Sequence, residues 1–249
     1  MEWTDEAIVL SARPHGEAAV VATLLTRGHG RHSGLVQGGR SSKQRGNLQP
    51  GNRVSARWRA RLADHLGTLT IEPIHNNAAA MLDDPLRLSG LVSACTMTEV
   101  ALPDREPHEP VFHGLLALLE AFETPVWAPA YVRWELGLLQ ELGFGLDLSS
   151  CAATGTNDAL AYVSPRTGRA VSLSAGEPYR DKLLPLPGFL AGHGGWTDRE
   201  VLAGLDLTGH FLERNAINTG SGGASGQMPA ARARFIERYR KMATLSGSR

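Results

Sequence analysis

No aspartate or glutamate occurs between Ala18 and Ala63, although the formal net charge of the 249-residue chain is zero. The deficit is therefore local, and an average over the chain hides it. Cysteine is almost missing as well: Cys95 and Cys151 stand alone. Two cysteines cannot form a disulfide framework, and they fit reduced thiols in a cytosolic protein. No apolar run approaches the ~20 residues that span a bilayer. The opening Met1-Glu2-Trp3-Thr4-Asp5-Glu6 lacks the basic and apolar regions of a secretory signal, so a cytoplasmic location is expected. Aromatic residues are scarce, and Trp3 and Trp58 are the only ones in the first 78 positions. Binding by stacking alone is thus disfavoured there. A Walker A loop, a dinucleotide-binding glycine turn, a nucleophile elbow and a His-Glu-x-x-His helix are all lacking, which argues against an enzyme.

What fills the acid-free stretch is positive charge: Arg27, Arg31, Arg40, Lys43, Arg45, Arg53, Arg57, Arg59 and Arg61. A field of one sign on part of a small domain suits a polyanion, so nucleic acid is the first expectation. Residues 1–75 hold ten basic and six acidic side chains, residues 81–149 three and eleven, and residues 150–249 twelve and eight. The switch near residue 80 coincides with a change of periodicity, which predicts one domain over 1–78 and another over 79–249. Hydrophobic residues at 42% with 20% charged exclude a mostly disordered chain.

In the first domain, Ala7–Leu10, Ala19–Leu25, Ser33–Val36, Asn52–Leu62 and Leu66–Ile74 are strand candidates, with Asp64-His65 as a hairpin turn. Five short strands in under 80 residues predict a closed barrel of the OB type. Arg53 to Leu62 alternates: Val54, Ala56, Trp58, Ala60 and Leu62 on one face, Arg53, Arg57, Arg59 and Arg61 on the other. Four arginines on one face repel one another unless an anion is near, and phosphate contact is the expected relief. Gly38 to Asn47 is read as a glycine-flanked basic loop whose Arg40, Lys43 and Arg45 offer donors to phosphate oxygens.

The second domain reads as mostly helical. Asp83-Asp84-Pro85 is a helix start, followed by an apolar stripe through Leu88, Leu91, Val92, Cys95, Val100 and Leu102. Cys95 falls in that stripe and is read as a buried core thiol. Further helices are expected over Val111–Phe122, Ala130–Leu142, Asp206–Ile217 and Ala230–Leu245. The last carries Arg232, Arg234, Arg238, Arg240 and Lys241. These serve either the helix dipole or a second DNA contact. Residues 144–188 look like a small hairpin with a Cys151-x-x-Thr154 knuckle. A zinc ribbon would need three more cysteines, so neither a metal nor any other cofactor is expected.

Trp134-Glu135-Leu136-Gly137-Leu138-Leu139-Gln140-Glu141-Leu142-Gly143-Phe144-Gly145-Leu146-Asp147-Leu148-Ser149-Ser150-Cys151 resembles the most characteristic segment of the bacterial RecO family of recombination mediators. The opening Ala7–Leu10 with Gly16-Glu17, then Leu184-Pro185-Leu186-Pro187 and Leu207-Thr208-Gly209-His210-Phe211-Leu212, are similar to other parts of that family in order and spacing. The resemblance implies an α+β, multidomain protein: an N-terminal OB barrel, then a helical domain with a small hairpin insert. It implies binding of single- and double-stranded DNA, annealing of complementary strands, and loading of RecA with RecR as partner. DNA repair in the cytoplasm, at the nucleoid, follows. Many members hold zinc on four cysteines in the central knuckle; here Cys151 alone remains. Members also hold the acidic tail of single-strand-binding protein against a basic residue, a role that the resemblance would carry to Arg133. Gly220 to Gly226 is an insert of open role. The rival readings are a generic OB-type RNA-binding adaptor and a protein-interaction scaffold.

Overall fold

The structure, a computed structural model, describes residues 1–216 and 227–246. It divides into two compact units: Met1–Glu123 with Pro229–Phe235, and residues 124–216, 227–228 and 236–246. In the first unit, β1 (Glu2–His15), β2 (Ala19–Thr26), β3 (Gly30–Val36), β4 (Arg53–Arg59) and β5 (Thr68–His75) close into a barrel of order β1-β2-β3-β5-β4. The long first strand pairs with β4 through Glu2–Ile8 and with β2 from Ala7 onward, with a bulge between Val9 and Ser11. Such bulges let one strand bend between two partners. Only Ala7–Leu10 is obvious in sequence because the polar first residues alternate against β4 rather than forming an apolar run. Between β3 and β4 lies α1 (Ser42–Asn47), where a loop was expected. The Ser41 hydroxyl caps it, accepting from the Gln44 amide at 3.4 Å.

The interior of the barrel is apolar: Ala7, Val9, Val20, Ala22, Leu24, Val36, Leu48, Val54, Ala56, Trp58, Leu69 and Ile71 are buried together. The alternation along β4 is as expected up to Arg59, with Val54, Ala56 and Trp58 inside and Arg57 and Arg59 exposed. It then stops. The last pair of the ladder is Arg59 with Thr68, so residues 60–67 have no strand opposite them. Leu62, expected inside, is 52% exposed, and Arg61 lies beyond the strand rather than on its face. β3 turns Gly30, His32, Gly34 and Val36 inward. A side chain on Gly34 would sit 2.7 Å from Leu69, so its absence is what lets Leu69 and Trp58 fill that side of the core.

A short turn, α2 (Asn77–Ala80), leads to α3 (Pro85–Ala101) and α4 (Glu109–Ala121). Asp84 caps α3, accepting from the amides of Leu86 and Arg87 at 3.1 and 3.0 Å. Proline follows at the first helical position, where its missing N–H costs nothing. Cys95 is fully buried, and burial, with Glu99 second, pushes its thiol up to about 12. The α3–α4 connection runs against the barrel: the Arg105 amide donates to the Arg31 carbonyl at 2.7 Å. Gly30 makes this approach feasible, since at φ +66° a Cβ there would lie 2.0 Å from the Glu106 carbonyl oxygen.

The second unit contains α5 (Trp127–Glu141), the three-stranded sheet β7-β6-β8 built from β6 (Leu160–Val163), β7 (Ala170–Ser172) and β8 (Leu184–Pro185), and the helices α6 (Leu173–Gly176) and α7 (Asp198–Phe211). It also takes the later part of α8 (Ala230–Ser246). Helix α7 begins two turns before the expected Asp206. Its start is a capping box in which Thr197 and Glu200 satisfy each other's amides. Thr208 donates to the buried Glu135 carboxylate at 2.5 Å, tying α7 to α5. Tyr239 donates to Asp198 at 2.7 Å and meets the Trp127 ring edge-on at 5.9 Å. Ile217 and the Gly220–Gly226 insert lie outside the described residues. No described helix is long and apolar enough to cross a membrane.

Trp58→Ala should lower the unfolding free energy of the first unit by about 3–5 kcal/mol, as for other buried tryptophans. Arg59→Ala, one residue on, should change it by no more than ~0.5 kcal/mol. Urea denaturation followed by circular dichroism reads both. Equal effects would mean that Trp58 does not anchor the barrel.

Candidate nucleic-acid interface

The nine cations of the acid-free stretch do not form one continuous face. Seven residues of β3, at ~3.3 Å each, separate its two ends by roughly 20 Å. Arg27 and Arg31 belong to one end, and Arg57, Arg59 and Arg61 follow the β1–β4 ladder to the same end, where Glu2 pairs with Arg59. Arg40, Lys43 and Arg45 lie past the other end of β3. Arg40 and Arg45 line a cavity of about 470 Å³ there, together with Pro14, Val20 and Leu48. Arg53 starts β4, opposite His75. All nine were expected to act together; the barrel splits them because the chain reverses direction between them.

Four of the nine also have acidic partners that lie outside the acid-free stretch. Arg27 pairs with Glu109 at 3.0 Å, Arg31 with Asp104 at 3.0 Å, Arg53 with Glu6 at 2.5 Å, and Arg57 with Glu2. Arg53 and Arg57 therefore do have an anion nearby, contrary to the expectation for the β4 face, because β1 brings Glu6 and Glu2 across the ladder. Exposure decides what each pair means. Arg31 has a side chain only 15% exposed, which makes it a structural partner of the 104–106 segment. Arg53 is half-buried. Arg27 and Arg57 are in open pairs, and such pairs are worth only ~0–1 kcal/mol, little enough for a phosphate to displace the carboxylate. The Glu109 carboxyl is held below its ordinary range by the hydrogen bond from Arg27 and then by His113.

The other five, Arg40, Lys43, Arg45, Arg59 and Arg61, are exposed, and among the described residues none has a carboxylate partner. Arg40 is anchored by donating to the Gly16 carbonyl at 3.2 Å. That bond uses one of its donors and holds the guanidinium beside the β1–β2 turn. Ser41, Ser42 and Gly38 around it are also exposed. The arrangement offers forked donors without competition from local carboxylates, which is what backbone contacts to a nucleic acid require.

Sequence reasoning missed an aromatic cluster at the opposite end of β3. Trp3 faces Trp58 across the β1–β4 ladder, with ring centroids 5.8 Å apart and planes 17° from parallel. His29 stacks on Trp3 at 4.5 Å, and His32 meets both indoles edge-on. Arg105, from the acidic middle of the chain, approaches the Trp58 ring at 6.0 Å. Its guanidinium donates to the carbonyls of Ala63 and His65, the latter at 2.8 Å. No local motif announces this group; only the pairing of β1 with β4 and the return of residue 105 to the barrel assemble it. His32 is 4% exposed, and neither ring nitrogen has a hydrogen-bond partner. Burial first, and then Arg105 and His29, lower its pKa to about 4 against a weak opposing pull from Asp104.

In the second unit, Arg133 is exposed on α5, donating to the Phe189 carbonyl at 2.9 Å and lying 5.5 Å over the Phe189 ring. Cys151 is buried and accepts from the Ser172 amide at 3.2 Å; Thr154 of the knuckle is a further partner of its thiol, which these hydrogen bonds, Ser172 first, lower to about 6, and Thr154 also meets the Thr156 hydroxyl at 2.9 Å. Among the described residues no group of three or more His, Cys, Asp or Glu side chains could hold a metal ion.

The family model described as Recombination protein O N terminal matches residues 1–77, and the one described as Recombination protein O C terminal matches residues 82–216. The chain is similar to proteins named DNA repair protein RecO: 62% identical to that of Rhodospirillum centenum over 99% of this chain and 98% of the relative. It is 51% identical to that of Caulobacter vibrioides over 96% and 97%, and 50% identical to that of Rhodospirillum rubrum over 97% of each.

The buried neutral His32 makes stability depend on acid. Above about pH 6.5 the ring is neutral folded or unfolded and contributes nothing. Between about 6.5 and 4 the unfolded chain binds a proton that the folded chain refuses, so stability falls as pH falls, by ~3 kcal/mol once the folded pKa is passed. His32→Phe should flatten that part of the curve in denaturant titrations at stepped pH. An unchanged acid dependence in the variant would assign it to other groups.

Proposed function

The chain belongs to the RecO family of DNA repair proteins, and on that premise we propose that it acts as a recombination mediator that binds single- and double-stranded DNA and anneals complementary strands. One observation carries the reading: a closed five-stranded barrel whose β3–β4 connection presents Arg40, Lys43 and Arg45 exposed, with no carboxylate partner among the described residues. Residues 1–78 serve as the DNA-binding domain and 79–249 as the helical domain. Arg59 and Arg61 extend the contact, and Arg27 and Arg57 join it by exchanging weak carboxylate pairs for phosphate. Arg31 and Arg53 contribute by holding the barrel and its attached segment in place.

Annealing needs no covalent chemistry. Two phosphate chains repel each other; a cationic surface that neutralises both lets base pairing proceed, and the duplex formed is the product. The reading therefore assigns no catalytic residue, metal or cofactor. With RecR as partner the protein helps load RecA on DNA coated by single-strand-binding protein, whose acidic tail we assign to Arg133 on α5. The place of action is the cytoplasm, at the nucleoid. A generic RNA-binding or protein-interaction adaptor is the competing reading, and it predicts no annealing.

Two measurements test this. Annealing of complementary strands coated by single-strand-binding protein should accelerate on adding the purified protein; binding to DNA without acceleration would favour the adaptor. The variant Arg40→Gln/Lys43→Gln/Arg45→Gln should bind oligonucleotides of any sequence more weakly. Its plot of log affinity against log salt should also be shallower by ~0.7 for each lost contact on single strands. An unchanged slope would remove these three residues from the interface.

A further inference from the structure

The aromatic cluster at the far end of β3 lines an open cavity of about 470 Å³, bounded by Trp3, His29, His32, Trp58, Arg105 and Pro107. The phosphate contacts described above need no such feature. We propose that this cavity receives one unstacked nucleobase, so that the barrel grips a single strand by a base at this end and by its phosphates at the other. The proposal rests on the reading of the barrel as a DNA-binding domain and goes beyond it, because it gives the protein a reason to distinguish an unpaired base from a duplex.

Four observations favour a base. The rings of His29, Trp3 and Trp58 lie within 17° of a common plane direction, and such a stack accepts another flat ring at its open side. The cavity volume accommodates a purine or pyrimidine with its sugar, whereas a duplex cannot enter a cavity of this size. Arg105 stands at the rim with its guanidinium pinned by two carbonyls, and among the described residues it has no carboxylate partner. A pinned cation beside a stacking surface suits the phosphate attached to a bound base, and its position costs little side-chain entropy on binding. Finally, His32 stays uncharged at the back, so the floor offers ring edges rather than a second positive charge. Glu2 also lines the cavity, but its carboxylate is engaged by Arg57. Arg27 precedes the lining residues Gly28 and His29, and Arg61 lies between Trp58 and Ala63, so the segments forming the wall carry further cations.

The test compares short oligothymidylate with an abasic oligomer of the same length, using the full chain and its tryptophan fluorescence. The wild type should bind oligothymidylate about ten-fold more tightly than the abasic strand, with quenching of tryptophan emission. Trp3→Leu and His29→Ala should each narrow that ratio toward one while leaving affinity for the abasic strand unchanged. His29 is half-exposed and outside the barrel core, so its variant answers the question should Trp3→Leu fold poorly. Equal affinity of the wild type for both strands would overturn the base pocket and leave phosphate binding intact. Failure to bind either strand would overturn the DNA-binding reading itself. Quenching by a phenylalanine-bearing peptide, with none by oligothymidylate, would make the cavity a peptide site and overturn the proposal.

Discussion

Closure of the barrel depends on a narrow contact, the parallel pairing of Leu35 on β3 with Thr68 on β5, secured by the Leu35 amide donating to the Gly67 carbonyl at 3.0 Å. Every other ladder in the sheet is antiparallel and long. The two strands meet because Gly34 has no side chain and Leu69 and Trp58 occupy the space instead. Once closed, the sheet has no free edge for another chain to pair with, and its outer face is available for charge. The indole N–H of Trp58 donates to the Leu66 carbonyl at 2.9 Å, so the same residue fills the core and fixes the β4–β5 turn. That turn supplies the carbonyls that hold Arg105. Core packing at one residue thereby sets the position of a surface cation more than forty positions along the chain.

The second constraint is electrostatic. A barrel that carried nine unpaired cations would repel itself, and the fold relieves part of this by bringing carboxylates from β1 and from the segment after α3. Relief is uneven, and the unevenness is informative. Half-buried pairs at Arg31 and Arg53 fix structure; open pairs at Arg27 and Arg57 are cheap to exchange; the β3–β4 connection is left without acids altogether. Positive charge is thus left exposed and unpaired in the β3–β4 connection and damped by carboxylates at Arg27, Arg31, Arg53 and Arg57.

Much of this was legible in the sequence. Alternation from Arg53 to Arg59 gave the faces of β4 because a strand's period is two and its core residues are apolar without exception. Asp84 and Pro85 gave the start of α3 because capping chemistry is local. What was not legible depends on contacts distant along the chain. Leu62 continues the alternation but lies past the last paired residue, and only the partner strand decides where a ladder stops. Helix α7 was read two turns short because its cap, Thr197 with Glu200, precedes the apolar stripe. The acids opposite Arg53 and Arg57 sit nearly fifty residues or more upstream, and Arg105 lies in a block whose net charge is negative. The aromatic cavity belongs to the same class: four rings from three segments, with Trp3, the His29–His32 pair and Trp58 each more than twenty positions apart along the chain.

The central claim is that the barrel, rather than the helices, contacts the nucleic acid, and that it does so with the residues after β3. Backbone and indole NMR of isotope-labelled full-length protein, titrated with a short single strand, tests this most directly. Shifts concentrated in residues 38–47 and at the barrel's two tryptophan indoles, Trp3 and Trp58, are expected. Shifts confined to α4, α5 and α7, with the barrel signals unmoved, would contradict that claim.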